Sequence, residues 1–130
     1  KSKMEKDIIG LHKIWIATEI SDRCGIVKFC SDDIEVSPTA GHHIKGKANF
    51  LNWLRASDNG SILESIEISN RQVVCGHQTG SLNADFKTTI ITEDNQRQII
   101  YGQHRWHLIM EDGAWKVNRL TWKIYPHPNR

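Results

Sequence analysis

At Ser61 the hydrophobic period of this chain changes, and that switch constrains the fold more than any other feature. Before it, apolar residues recur every three or four positions. Ile8, Leu11 and Trp15 form one stripe with Ile9, His12 and Ile16 beside it, so the spacing predicts a helix over 3–20. Ser21 or Asp22 offers an N-cap oxygen to a short second helix over 23–30. A strand over Ile34–Val36 then runs into Pro38 and a PTAGHH loop. A third helix follows Gly46, with Phe50, Leu51 and Leu54 on one face, Trp53 at its edge, and Asp58-Asn59-Gly60 as its stop.

After Ser61 the period is two. Ile62, Glu64, Ile66 and Ile68 alternate with Leu63, Ser65 and Glu67, and Ser69-Asn70-Arg71 predicts a turn. A long extended segment over 72–92 carries Gly76 and Gly80, natural places for bulges or bends. Glu93 to Gln96 and Glu111 to Gly113 predict turns that bound strands over 97–110 and 115–125. Helices first and an antiparallel meander afterwards is an α+β order, with the helices gathered on one face of a sheet. A sheet bent over the first helix makes a cone whose open end leaves a pocket. The 130 residues fill one domain, 1–130, without internal repeats.

Several function classes drop out. Seventeen basic against fifteen acidic residues, dispersed along the chain, leave no electrostatic footprint for nucleic acid. No apolar run reaches membrane-spanning length, and KSKMEKD is too polar for a signal peptide, so a cytoplasmic protein is expected. Cys24, Cys30 and Cys75 have no CxxC spacing and read as reduced, with Cys24 and Cys30 as small core fillers. No GxGxxG, GxxxxGK[ST], GxSxG or HExxH occurs. His42 and His43 are adjacent on an extended stretch and point opposite ways, so no metal site and no cofactor are expected.

Two segments resemble a known family. WIATEISDRCGIVKFCSDDIEVSPTAGHHIKGKANFLNW, from Trp15 to Trp53, is similar to the amino-terminal half of SnoaL-like domains of the NTF2-like (nuclear transport factor 2-like) superfamily. RWHLIMEDGAWKVNRLTW is similar to that family's last hairpin, and the likeness runs from about Asp7 to Tyr125. It implies an NTF2-like, cystatin-like cone: three N-terminal helices on a strongly curved, mainly antiparallel sheet. It also implies that Asp32 and Asp33 end the second helix outside the pocket mouth, as turn residues. The ketosteroid isomerases of this superfamily use a tyrosine, a general-base aspartate and a protonated acid; those places fall here on Ile14, Ser37 and near Trp106. None of the three suits that enolisation.

Alternation puts His104, Trp106 and Leu108 on one face of their strand and Leu120 and Trp122 on one face of the next. With Trp15, Ile14, Ser37 and Trp53 these residues make the expected pocket, lined for a small apolar or aromatic molecule. His104 is the expected acid–base group and proton shuttle, with Trp106 as a donor, in an isomerase, cyclase or dehydratase. The other reading has the tryptophans fill the cone and His104 bonded to a backbone carbonyl, leaving a non-catalytic dimerisation or interaction domain. The resemblance also implies a homodimer through the outer sheet face, which would carry Arg105, His107, Ile109, Arg119, Thr121 and Lys123.

Overall fold

A computed structural model of the chain describes residues 2–38 and 42–126. Helix α1 spans Lys3–Ser21 and starts at a reciprocal cap. The Ser2 hydroxyl accepts the Glu5 N–H at 3.1 Å, and the Glu5 carboxylate accepts the Ser2 N–H at 3.0 Å. Ile8, His12, Trp15 and Ile16 form its buried stripe. The expected second helix is a tight 3-10 segment, Arg23–Phe29, one residue shorter than predicted. Helix α2 spans Lys47–Ala56 and buries Phe50 and Leu54; Gly46, at φ +96°, turns the chain into it.

Six strands follow one another as β1 (Cys30–Ser37), β2 (Ile44–Lys45), β3 (Ile62–Cys75), β4 (Thr79–Ile91), β5 (Arg97–Glu111) and β6 (Ala114–Tyr125). They form one sheet in the order β2-β1-β6-β5-β4-β3. All neighbours are antiparallel except β1 and β6, which run parallel. The sheet is therefore mixed. Asp32 and Asp33 lie inside β1 and do not cap a helix. Asp32 pairs with Lys47 at 3.6 Å, and Asp33 accepts the Ser31 hydroxyl at 2.9 Å.

The expected turn at Ser69-Asn70-Arg71 is a bulge within β3. The register steps from Ser69 opposite Asp85 to Gln72 opposite Asn83, so Asn70 and Arg71 together face Ala84. Asn70 sits at φ 53°, and its side-chain amide donates to Asp85 at 2.7 Å. One extra residue reverses the alternation, so Arg71, Val73 and Cys75 continue the inner face begun by Ile66 and Ile68. The chain reverses instead at 76–78, which divides the predicted 72–92 segment between β3 and β4. Pairing runs unbroken through Gly80, so the bends come from other positions. A second bulge at Asn118 does for β6 what Asn70 does for β3: Val117 faces Leu108 and Arg119 faces His107, keeping Trp115, Val117, Leu120 and Trp122 on one side.

Candidate functional site: a tryptophan-walled cavity

The sheet and helices line a cavity of about 870 Å³, with the exposed Asp58 and Asn59 among its lining residues. Trp15 and Glu19 come to it from α1, Trp53 from α2, Phe86 from β4, His104 and Trp106 from β5, and Leu120 and Trp122 from β6. Trp53 and Trp122 lie 5.9 Å apart between centroids, tilted at 54°, and Trp15 meets Trp106 at 4.9 Å. The hollow is mostly apolar; Glu19 and His104 are set into its wall, and Arg23, Cys24, Arg55 and Asp58 also line it.

Six of the residues expected at the pocket line it: Trp15, Trp53, His104, Trp106, Leu120 and Trp122. Three do not. Ile14 lies off the buried stripe of α1 and is 55% exposed, because one residue before Trp15 is about 100° around the helix. Ser37 pairs in register with Thr121, which puts it on the outer face of the sheet, where its hydroxyl meets His43 Nδ1 at 3.2 Å. Leu108 has the inward parity but lies beyond Trp106, sealed in the core opposite Gly80. Trp106 also differs in role. Its ring forms wall, but its indole N–H is enclosed with no partner and meets no open space, so it cannot serve as a donor to the hollow.

His104 is held in place on three sides. Phe86 stacks on it at 5.5 Å and 26°, and Trp106 lies nearly parallel at 6.3 Å. Gly102 makes room for Phe86: a Cβ there would run into the phenyl ring and the Lys123 carbonyl. Behind the wall, His104 Nε2 meets His12 Nε2 at 2.8 Å, and the Arg71 Nε–H donates to His12 Nδ1 at 3.0 Å. His12 is wholly buried. Burial, the neighbouring His104 and the Arg71 charge together hold His12 down to about 3. Burial first and Arg71 second lower His104 to about 4, against an upward pull from Asp85. Both imidazoles are neutral at pH 7.

Glu19 is the carboxylate that sequence reasoning missed. It stands one helical turn after Trp15, whose indole N–H donates to it at 3.2 Å. Burial raises its pKa, outweighing the downward pulls of the Trp15 hydrogen bond and the Arg23 charge. The Arg23 guanidinium lies over Trp53 at 5.9 Å and donates to the Leu54 carbonyl at 3.2 Å. The helical spacing from Trp15 was the signal for Glu19. Arg71 gave none, because the bulge that turns it inward reads as a turn.

The other described histidines are elsewhere. His43 sits on the outer face between Ser37 and Glu35, while His42, His77 and His107 are exposed. Among the described residues no three His, Cys, Asp or Glu side chains converge as metal ligands, and no helix is long and apolar enough to cross a membrane. Burial pushes the Cys30 thiol up to about 12, which suits a packed side chain and not a nucleophile.

No protein-family model matches the chain, and no curated protein sequence matches it. Solved structures do. A ketosteroid isomerase-like protein from Erwinia carotovora atroseptica superposes with a TM-score of 0.84 at 11% identity, over 98% of this chain and 100% of that one. Aln2 from a Streptomyces species gives 0.82 at 12% identity, over 95% and 92%. A scytalone dehydratase-like protein from Novosphingobium aromaticivorans gives 0.80 at 16% identity, over 92% and 83%. Likeness at such identities is likeness of fold: the chain has the cystatin-like fold of these NTF2-like proteins.

Proposed function

We propose that the protein binds a flat, mainly apolar small molecule in the cavity and acts on it by acid–base chemistry of the isomerase, cyclase or dehydratase kind. The observation that carries this reading is the presence of a carboxyl, Glu19, and an imidazole, His104, in the wall of a mostly apolar hollow. A packed interaction domain has no use for a half-buried carboxyl facing a hollow, because desolvating it is costly. Similar folds include proteins described as ketosteroid isomerase-like and scytalone dehydratase-like, which is in keeping with such chemistry.

In this reading the ligand's rings lie against Trp53 and Trp122 and its oxygen meets His104. The Glu19 carboxylate accepts a proton from the carbon next to a carbonyl. That C–H bond breaks, its electron pair moves toward the carbonyl oxygen, and His104 holds the oxygen while charge develops there. Return of the proton to another carbon gives an isomer; loss of a β-hydroxyl gives a dehydrated product. A carboxylate whose pKa is raised by burial is a stronger base than an ordinary one. Pairing of two copies across the outer sheet face belongs to the same reading, and sedimentation would measure it.

A thermal-shift screen of aromatic and polycyclic ketones tests the proposal. At least one compound should raise the melting temperature, with a smaller rise in His104→Leu. Solvent deuterium should enter that ketone beside its carbonyl with the wild type and not with Glu19→Gln. A panel that stabilises nothing would sink the ligand reading; binding without exchange would sink the catalytic one.

A further inference from the structure

The Arg71–His12–His104 chain has a direction. Arginine keeps all its protons at any physiological pH, so its Nε is a donor and His12 Nδ1, 3.0 Å away, must be the acceptor. A neutral imidazole carries one proton, so that of His12 is on Nε2. That nitrogen lies 2.8 Å from His104 Nε2, which therefore accepts, and the proton of His104 is left on Nδ1. Among the described residues His104 Nδ1 has no hydrogen-bond partner, and unlike the indole N–H groups of Trp106 and Trp115 it is not sealed in. His104 lines the hollow, and with Nε2 taken up by His12 its Nδ1–H is the polar group left to offer there.

We infer that Arg71, acting through His12, locks His104 as a hydrogen-bond donor to the cavity, so that the site takes ligands presenting an acceptor oxygen such as a ketone or quinone carbonyl. The inference rests on the ligand reading above and narrows it. It also replaces the expected proton shuttle. To take a proton at Nδ1, His104 would need its own proton on Nε2, facing the His12 N–H head on. His12 cannot turn its proton the other way, because Arg71 occupies that side. Arg71 and His12 touch no ligand and are positioning residues. The bulge at Asn70 aims them: without the extra residue, the side chain at 71 would point to the outer face.

Imidazole nitrogen NMR on the ¹⁵N-labelled, ligand-free chain tests the lock at pH 7. Wild type should show His12 protonated on Nε2 and His104 on Nδ1. In Arg71→Met both should become tautomer mixtures, and Arg71→Lys, which keeps a charged donor, should restore the wild-type pattern. An unchanged amide spectrum in each variant separates this from unfolding. His104 protonated on Nε2 in the wild type, or tautomers unmoved by Arg71→Met, overturns the lock. For the ligand class, 2-acetylnaphthalene should bind about tenfold tighter than 2-ethylnaphthalene, the gain of roughly one good hydrogen bond. Equal affinities overturn the acceptor preference. Failure of both to bind counts against the ligand reading, while the imidazole spectrum reads the lock without any ligand.

Discussion

His12 Nε2 stands 2.8 Å from His104 Nε2, one ring buried behind the cavity wall and the other set in it. A neutral pair joined this way makes stability depend on pH. In the unfolded chain both rings titrate near 6.5; in the fold they are held to about 3 and about 4. Between those values the unfolded state binds more protons, so stability falls as pH drops from 6.5 and levels off near 3 to 4. Glu19 has the opposite sign, so the measurement belongs in a Glu19→Gln background. There, urea unfolding at pH 6.5 and 4.5 should differ by on the order of 1 kcal/mol per pH unit. A flat profile over that window contradicts neutral buried histidines.

Glu19→Gln is itself expected to stabilise the protein. A carboxyl with a raised pKa costs stability above its unfolded value of 4.5 and nothing below it. At pH 7 the variant should be more stable than the wild type, at pH 4 almost equal to it, and any turnover should be lost. Equal stabilities at pH 7 would mean that Glu19 is solvated as if on the surface.

Asn70 holds the bulge that aims Arg71. At φ 53° it occupies a conformation that asparagine and glycine tolerate and β-branched residues resist. Asn70→Gly should keep the imidazole tautomers of wild type. Asn70→Val should lose about 1–2 kcal/mol and scramble them, as read by unfolding curves and nitrogen spectra. A valine variant with wild-type tautomers would show that Arg71 finds its place without the bulge.

Two neighbours on α1 should behave oppositely. Ile14→Lys, at an exposed position, should change stability by no more than about 0.5 kcal/mol and leave ligand binding alone. Trp15→Ala should cost about 3–5 kcal/mol, since it opens the wall against Trp106. Thermal melts of both decide whether the buried stripe runs where it is drawn.

Thiol labelling offers a simple check of burial. Cys30, sealed and with its thiol pushed up to about 12, should resist alkylation at pH 8 in the native state, while Cys24 and Cys75 react first. Mass spectrometry of partly labelled protein orders the three. Early modification of Cys30 would contradict its place in the core.

Much of this architecture is legible in the sequence, for local reasons. The stripe through Ile8, His12 and Trp15, the glycine before α2 and the two hairpins of β4 to β6 rest on spacing within a few residues. What escapes is set by register. A one-residue bulge at Asn70 reverses the face of every residue after it, and Asn-Arg after Ser69 looks the same whether the chain turns or bulges. The parallel pairing of β1 with β6 puts Ser37 outside, and that pairing joins segments some eighty residues apart. Glu19 was hidden differently: a lone glutamate on a helix is nearly always solvated, and only the fold shows that this one meets a hollow.

The central claim is that a ligand's oxygen meets His104 inside the cone. A crystal structure with the strongest ketone from the thermal screen measures it directly. The account predicts rings seated against Trp53 and Trp122 and a carbonyl oxygen about 3 Å from His104 Nδ1. A ligand bound with its oxygen turned away from His104, or bound outside the cavity, contradicts it.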